Sequence, residues 1–224
     1  MHKRQIAIIT GFSLILMAII AGYSIGYAYP EFYQLDQINS LKENILDNQA
    51  LYGMMLIGIC AILVLDFVVS YTLYVYFKED NQRISLLSGI LRIAYTILFG
   101  IATIYLAKNL TISELSNELI NKNFQLFQAV WNSALIIFGF HILLIGALMK
   151  LHRKIPKALW YLAIIAGISY VLVHVLKLTS PSSEFVSTME MILALPMAIG
   201  ELALAIWLLV KGGKETKNSH ATSL

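Results

Sequence analysis

Two carboxylic acids, a guanidinium and an imidazole stand in the middle of four otherwise apolar stretches of this chain: Asp66, Arg92, His141 and Glu201. A charge at the centre of a bilayer costs about 2.5–3.5 kcal/mol on insertion scales, so such residues face a protein interior and find partners there. Counted from Phe77, Ile84, Lys150 and Lys211, the same-side ends of their stretches, the four lie at similar depth, roughly 12–17 Å at helical rise. That places them in one layer near the midplane. One chemistry open to them is a polar pocket, in which Arg92 binds an anionic group and Asp66, Glu201 and His141 carry protons or hydrogen bonds. The other is structural, with Arg92 neutralising Asp66 or Glu201 and fixing the register of the bundle. One guanidinium does not neutralise two carboxylates, so one acid is expected to carry a proton or to bond to His141. Asp66 or Glu201 acting with His141 as acid and base would instead make an intramembrane enzyme. The reading adopted is non-enzymatic.

Neighbouring residues support a polar layer. Ser70 and Tyr74 follow Asp66 at i+4 and i+8, and Ser85, Ser88, Tyr95, Thr96 and Thr103 extend a stripe through Arg92. Gly139 lies two residues before His141 in the same run. Pro196 and Gly200 accompany Glu201, and the proline frees the Ile192 carbonyl and permits a kink.

The elements that must position these groups follow from composition. Of 224 residues, 58% are hydrophobic and 13% charged, with a mean hydropathy of +0.74; soluble domains are about a quarter charged. About 20 apolar residues of helix cross a bilayer, and six runs qualify: 6–29, 50–77, 84–107, 126–149, 158–176 and 188–210. The expected fold class is all-α, a single domain over 1–224 forming a bundle of six transmembrane helices. Lys3, Arg4, Lys78, Arg83, Lys150, Arg153, Lys154, Lys157, Lys211, Lys214 and Lys217 fall on one side, against Lys42, Lys108, Lys122 and Lys177 on the other. By the positive-inside pattern both termini are cytoplasmic. The first run follows Met1-His2-Lys3-Arg4 but is about twice too long for a signal peptide, and is read as a retained anchor.

Three capping boxes are expected: Ser40–Glu43 and Thr111–Glu114, opening short surface helices in the outer loops, and Ser187–Glu190, opening the last span. After Thr111, Leu115, Leu119 and Ile120 recur at helical spacing. Tyr23, Tyr27, Tyr29, Tyr33, Trp131 and Trp160 fall near span ends and read as interface anchors.

Several chemistries are excluded. One cysteine, Cys60, forms no disulfide framework and no thiolate metal site, and a net charge of +3 is too slight to argue for nucleic acid. There is no H-E-x-x-H, G-x-S-x-G, P-loop or dinucleotide fingerprint. His141 and His174 differ in depth by on the order of 10 Å, too far to share one haem iron. No metal or cofactor is expected; the expected partners are membrane lipids and a small anionic or protonatable solute that is bound or transported, the alternative being a structural or sensory membrane subunit whose buried charges only specify helix packing.

Leu65–Lys78, with Asp66 and Tyr74, and Leu91-Arg92-Ile93-Ala94-Tyr95 resemble a bacterial membrane family catalogued as domain of unknown function 4386. Phe138-Gly139-Phe140-His141 with Gly146, Ile155-Pro156, Ala166–Tyr170 and Gly200–Gly212 continue the likeness from the second span to the last. The family's pattern has an acid, an arginine, a histidine and a glutamate at Asp66, Arg92, His141 and Glu201. In the first outer loop, where the family shows Gly-Asp and small residues, Asp36 is followed by Gln37-Ile38-Asn39. The resemblance implies a six-helix protein of the bacterial cytoplasmic membrane and no particular activity.

Overall fold

The computed structural model describes residues 2–33, 39–114, 116–180 and 183–214. Among them there is no strand, and six helices are long and apolar enough to cross a membrane. The first is continuous over Lys3–Phe32: α1 (Lys3–Ala21) runs through a π-helical segment (Gly22–Ala28) into α2 (Tyr29–Phe32). The short α3 (Leu41–Asp47) precedes α4 (Gln49–Phe77) and α5 (Gln82–Lys108). A kinked 3-10 segment (Asn109–Glu114) leads to α6 (Asn117–Leu151), followed by α7 (Lys157–Thr179) and α8 (Glu184–Val210).

Each span packs on its neighbours in chain order, and α1 against α8 closes the ring. The radial pattern inverts that of a soluble bundle. Thr10, Ser13, Asp66, Ser70, Ser85, Ser88, Arg92 and Thr96 point inward and are buried, while Phe12, Ile57, Val64, Ile104 and Ile206 point outward and are exposed. An outer surface of this kind is stable where the solvent is hydrocarbon.

The start of α1 and the end of α8 lie together at one end of the ring. The Arg4 guanidinium donates to the carbonyls of Leu208 (3.0 Å) and Leu209 (2.6 Å) in the last turn of α8 and of Gly212 (2.8 Å) just beyond it, where the end of a helix leaves acceptor capacity unused. The α4–α5 and α6–α7 turns meet at the same end, where His152 Nδ1 lies 2.8 Å from Asp80. We call this the inner end.

At the outer end α2 and α3 fold back over α4–α6. Phe32, Leu41 and Ile45 are buried there, and Phe32 meets Tyr52 edge-on at 4.9 Å. The start of α3 depends on α6: Asn117 Oδ1 accepts the Lys42 amide at 2.7 Å, and its Nδ2 donates to the Asn39 carbonyl.

Ser40 precedes α3 with no side-chain cap bond, and the other two expected boxes do not form either. Thr111 Oγ1 turns back to the Lys108 carbonyl, and the cap before the fourth span is Ser116, whose Oγ accepts from the Leu119 amide. The expected surface helix is therefore the first turns of α6, nine residues ahead of the expected start at 126. Leu115 lies outside the described residues, as do Asp36, Gln37 and Ile38 of the first outer loop. Ser187–Glu190 lies inside α8, which Ser183 precedes; Glu190 instead pairs with Lys177 of α7 at 2.7 Å.

Candidate functional site

Arg92 organises the interior. It is fully buried on α5, and its five N–H donors all have partners. Nε (2.9 Å) and Nη2 (2.7 Å) both reach Asp66 Oδ1 from α4. Nη1 reaches Glu201 Oε1 on α8 and His141 Nε2 on α6, each at 3.2 Å. Nη2 also points at the Met17 sulfur of α1, 4.0 Å away, and the guanidinium carbon lies 5.3 Å from the Phe138 ring centre. Five of the six spans thus meet at one side chain.

His141 is fixed by exclusion. A guanidinium only donates, so Nε2 accepts from Arg92 and Nδ1 carries the ring hydrogen. Nδ1 lies 2.9 Å from both the carbonyl and the hydroxyl of Ser88. With both nitrogens engaged, His141 bonds to neither acid among the described residues, which removes that branch of the expectation. It also leaves no ring nitrogen free for acid–base chemistry.

The two carboxyl groups differ in setting. Asp66 is fully buried; Oδ1 takes both Arg92 bonds, and Oδ2, also buried, has no hydrogen-bond partner. Glu201 is 25% exposed at its side chain. Two carboxylates face one guanidinium, so the acceptor capacity of the cluster exceeds its donors.

Glu201, Arg92 and Asp66 form the floor of a cavity of about 580 Å³ that occupies the outer half of the ring and is lined by all six spans. Its walls are mainly aromatic and aliphatic, with Tyr95, Phe99, Trp131, Phe138 and Tyr170 prominent. Tyr95 and Phe138 pack at 4.7 Å, and Trp131 stacks on Phe99 at 5.8 Å. Below the floor, His141, Gly200, Glu201 and Leu204 border a void of about 10 Å³, the space of about one water.

The remaining expected residues separate by role. Tyr95 is in the cavity wall. Ser70 bonds the Gly89 carbonyl (3.0 Å) and ties α4 to α5. Gly139 and Gly200 permit close packing: a Cβ would sit 2.7 Å from Val171 Cγ2 at the first and 2.5 Å from Ala166 Cβ at the second. Pro196 lies inside α8. Tyr74 lies two turns below Asp66 and is not among the residues lining the cavity.

Sequence reasoning missed the Ser88 anchor, the Met17 contact and the cavity role of α1, which carries no ionisable residue at that depth. It also misplaced two aromatics. Trp131 is a cavity wall, and Tyr29 is buried against Phe127 at 5.2 Å, so neither is an interface anchor. His174 points inward as well, to Asn132 Oδ1 at 3.1 Å.

A family model described as domain of unknown function (DUF4386) matches residues 9–212, extending the resemblance into the first span. An uncharacterised protein of Archaeoglobus fulgidus (strain ATCC 49558) is 28% identical over 159 residues, which are 71% of this chain and 84% of the archaeal one. No solved structure matches the chain.

Proposed function

The chain belongs to the DUF4386 family, whose description carries no activity, and we propose from the site itself that this member binds a small protonatable solute at the midplane cluster, as a step in its transport. The carrying observation is the contrast between Arg92 and Glu201 at one cavity floor. Every donor of Arg92 already has a partner, three of the five being carboxylate contacts, so an anion reaching it would have to displace Met17, His141 or a carboxylate and would meet two acids beside it. Glu201 is open to the cavity and offers acceptor oxygens to a donor. Of the two solute classes the sequence suggested, this favours the protonatable one over the anionic one. Arg92 and Asp66 then serve as the fixed base of the site. A volume of about 580 Å³ is within the range of ligand pockets, roughly 300–1,000 Å³.

The test uses protein extracted into nanodiscs with its native lipids. Co-extracted small molecules are identified by mass spectrometry for wild type and Glu201→Gln at equal folded yield. Loss of a charge-assisted hydrogen bond should deplete the bound species about tenfold or more in the variant. Equal retention, or no retained species in either protein, overturns the reading.

The dry Asp66–Arg92 pair favours a second reading, a structural or sensory subunit in which the charges specify packing. It predicts a normal Glu201→Gln protein with nothing to lose from the cavity. By the distribution of basic residues we place the inner end in the cytoplasm, and by the family resemblance the protein in a bacterial cytoplasmic membrane.

A further inference from the structure

We infer that the solute is a lipophilic amine dissolved in the bilayer, and that it enters sideways between the outer halves of α1 and α8; this rests on the solute-binding reading above. Three carboxyl groups line the cavity; Asp66 is fully buried against Arg92 and Glu190 pairs with Lys177 at the rim, so the partly exposed Glu201 carboxyl at the floor is the one suited to an ammonium group, below the aromatic walls of Tyr95, Phe99, Trp131 and Tyr170. An ammonium donates to a carboxylate and is attracted to ring faces. An apolar body of matching length gains by leaving neither lipid nor aromatic surface unfilled.

The route follows from what closes the other approaches. On the α4–α6 side, α2 and α3 roof the outer end with buried Phe32, Leu41 and Ile45. On the α7–α8 side the Lys177–Glu190 pair stands at the rim, Glu190 itself lining the cavity. Between α1 and α8, by contrast, the close contacts lie in the inner half, where Gly11 meets Ala205 and Leu209 and Arg4 meets the last turn of α8. In the outer half several flanking cavity residues are small and exposed, Ala18, Gly22 and Gly26 on the first span and Ala194 and Ala198 on α8, with the larger Met17, Ile25 and Met197 between them and the interior. Nothing lies within 4 Å of where a Gly22 side chain would begin. Both helices also depart from regular hydrogen bonding here, α1 through the π-helical Gly22–Ala28 and α8 through Pro196. Such interruptions let a segment move without unpacking the whole helix.

The test measures binding to nanodisc-embedded protein of three probes: decylamine, its water-soluble short homologue ethylamine, and decyl sulfate. Decylamine should bind saturably and lose affinity about tenfold or more in Glu201→Gln, while ethylamine and decyl sulfate should not compete. Gly22→Trp and Ala194→Trp each place bulk in the seam far from Glu201, and each should slow decylamine association about tenfold; if one fails to fold, the other decides. Ethylamine binding as well as decylamine, with both tryptophan variants at the wild-type rate, overturns lateral entry and leaves the solute-binding reading standing. Saturable, Glu201-dependent binding of decyl sulfate overturns the amine assignment and with it the preference for a protonatable over an anionic solute, leaving only solute binding at the cluster. Absence of Glu201-dependent binding for all three probes removes the parent reading with it.

Discussion

At the scale of single residues, the Asp66–Arg92 contact sets the energetics of the interior. Both side chains are fully buried, and two nitrogens of one converge on a single oxygen of the other. Removing Arg92 strands the buried Asp66 and removing Asp66 leaves Arg92 only its longer contact with Glu201, a cost of about 3–5 kcal/mol where a charge is stranded, whereas removing both leaves only the partly exposed Glu201 carboxyl. Asp66→Asn and Arg92→Gln singly should therefore reduce folded yield and thermal midpoint strongly, and the double variant should recover a large part of both. Glu201→Gln, partly exposed at a contact of 3.2 Å, should cost much less. A double variant no better than the worse single would show that the pair is not a unit. The four ionisable residues were legible in the sequence because a charge in a long apolar run has few places to go. Their pairing was not. Which carboxylate receives the guanidinium's edge depends on helix rotation and rotamer. The engagement of His141 with Ser88 rather than an acid depends on how close α5 comes to α6.

At the scale of elements, the spans were legible because length and apolarity fix them, but their packing surfaces were not. The α6–α7 contact turns on Gly139. A side chain there would begin 2.7 Å from Val171 Cγ2 and 3.0 Å from the Gly167 carbonyl oxygen, and a backbone atom cannot rotate aside. Gly53 on α4 has nothing within 4 Å. Gly139→Leu should thus push α6 from α7 and cost about 1–3 kcal/mol by overpacking, while Gly53→Ala should be neutral or stabilising by roughly 0.5–1 kcal/mol through helix propensity. Thermal unfolding of the two variants side by side checks this, and equal effects would contradict it. The failed capping boxes have a related cause. Ser/Thr-x-x-Glu marks a start only if the chain is non-helical before it, and α8 is already helical at Ser187. Ahead of α6 two hydroxyls compete for the cap, and Ser116 has it because Thr111 folds back on Lys108.

At the scale of the molecule, the cavity is one-sided. It runs from the Arg92 layer to the outer end, while inward of that layer a water-sized void borders Leu204 and the side chains of Leu204, Ala205 and Leu208 are buried. Transport needs the opposite arrangement as well, so the inner half of the α1–α8 seam must also open. Its strongest tie is Arg4, holding two carbonyls of the last turn of α8 and that of Gly212 just beyond it, with the positive charge placed where the helix dipole favours it. The neighbouring Lys3–Glu79 pair is largely exposed, and pairs of that kind are worth little. Arg4→Gln should therefore loosen the inner seam without touching the Arg92 cluster. Ala205, buried against Gly11, reports on it: in a Cys60→Ser background, Ala205→Cys should react slowly with a water-soluble maleimide. Adding Arg4→Gln should speed the reaction about tenfold or more, the factor expected from losing roughly 1.5 kcal/mol of charge-assisted hydrogen bonding. Unchanged labelling, with Lys3→Gln equally silent, would mean that the seam is held by its apolar packing and that the inner half of this bundle does not open through α1.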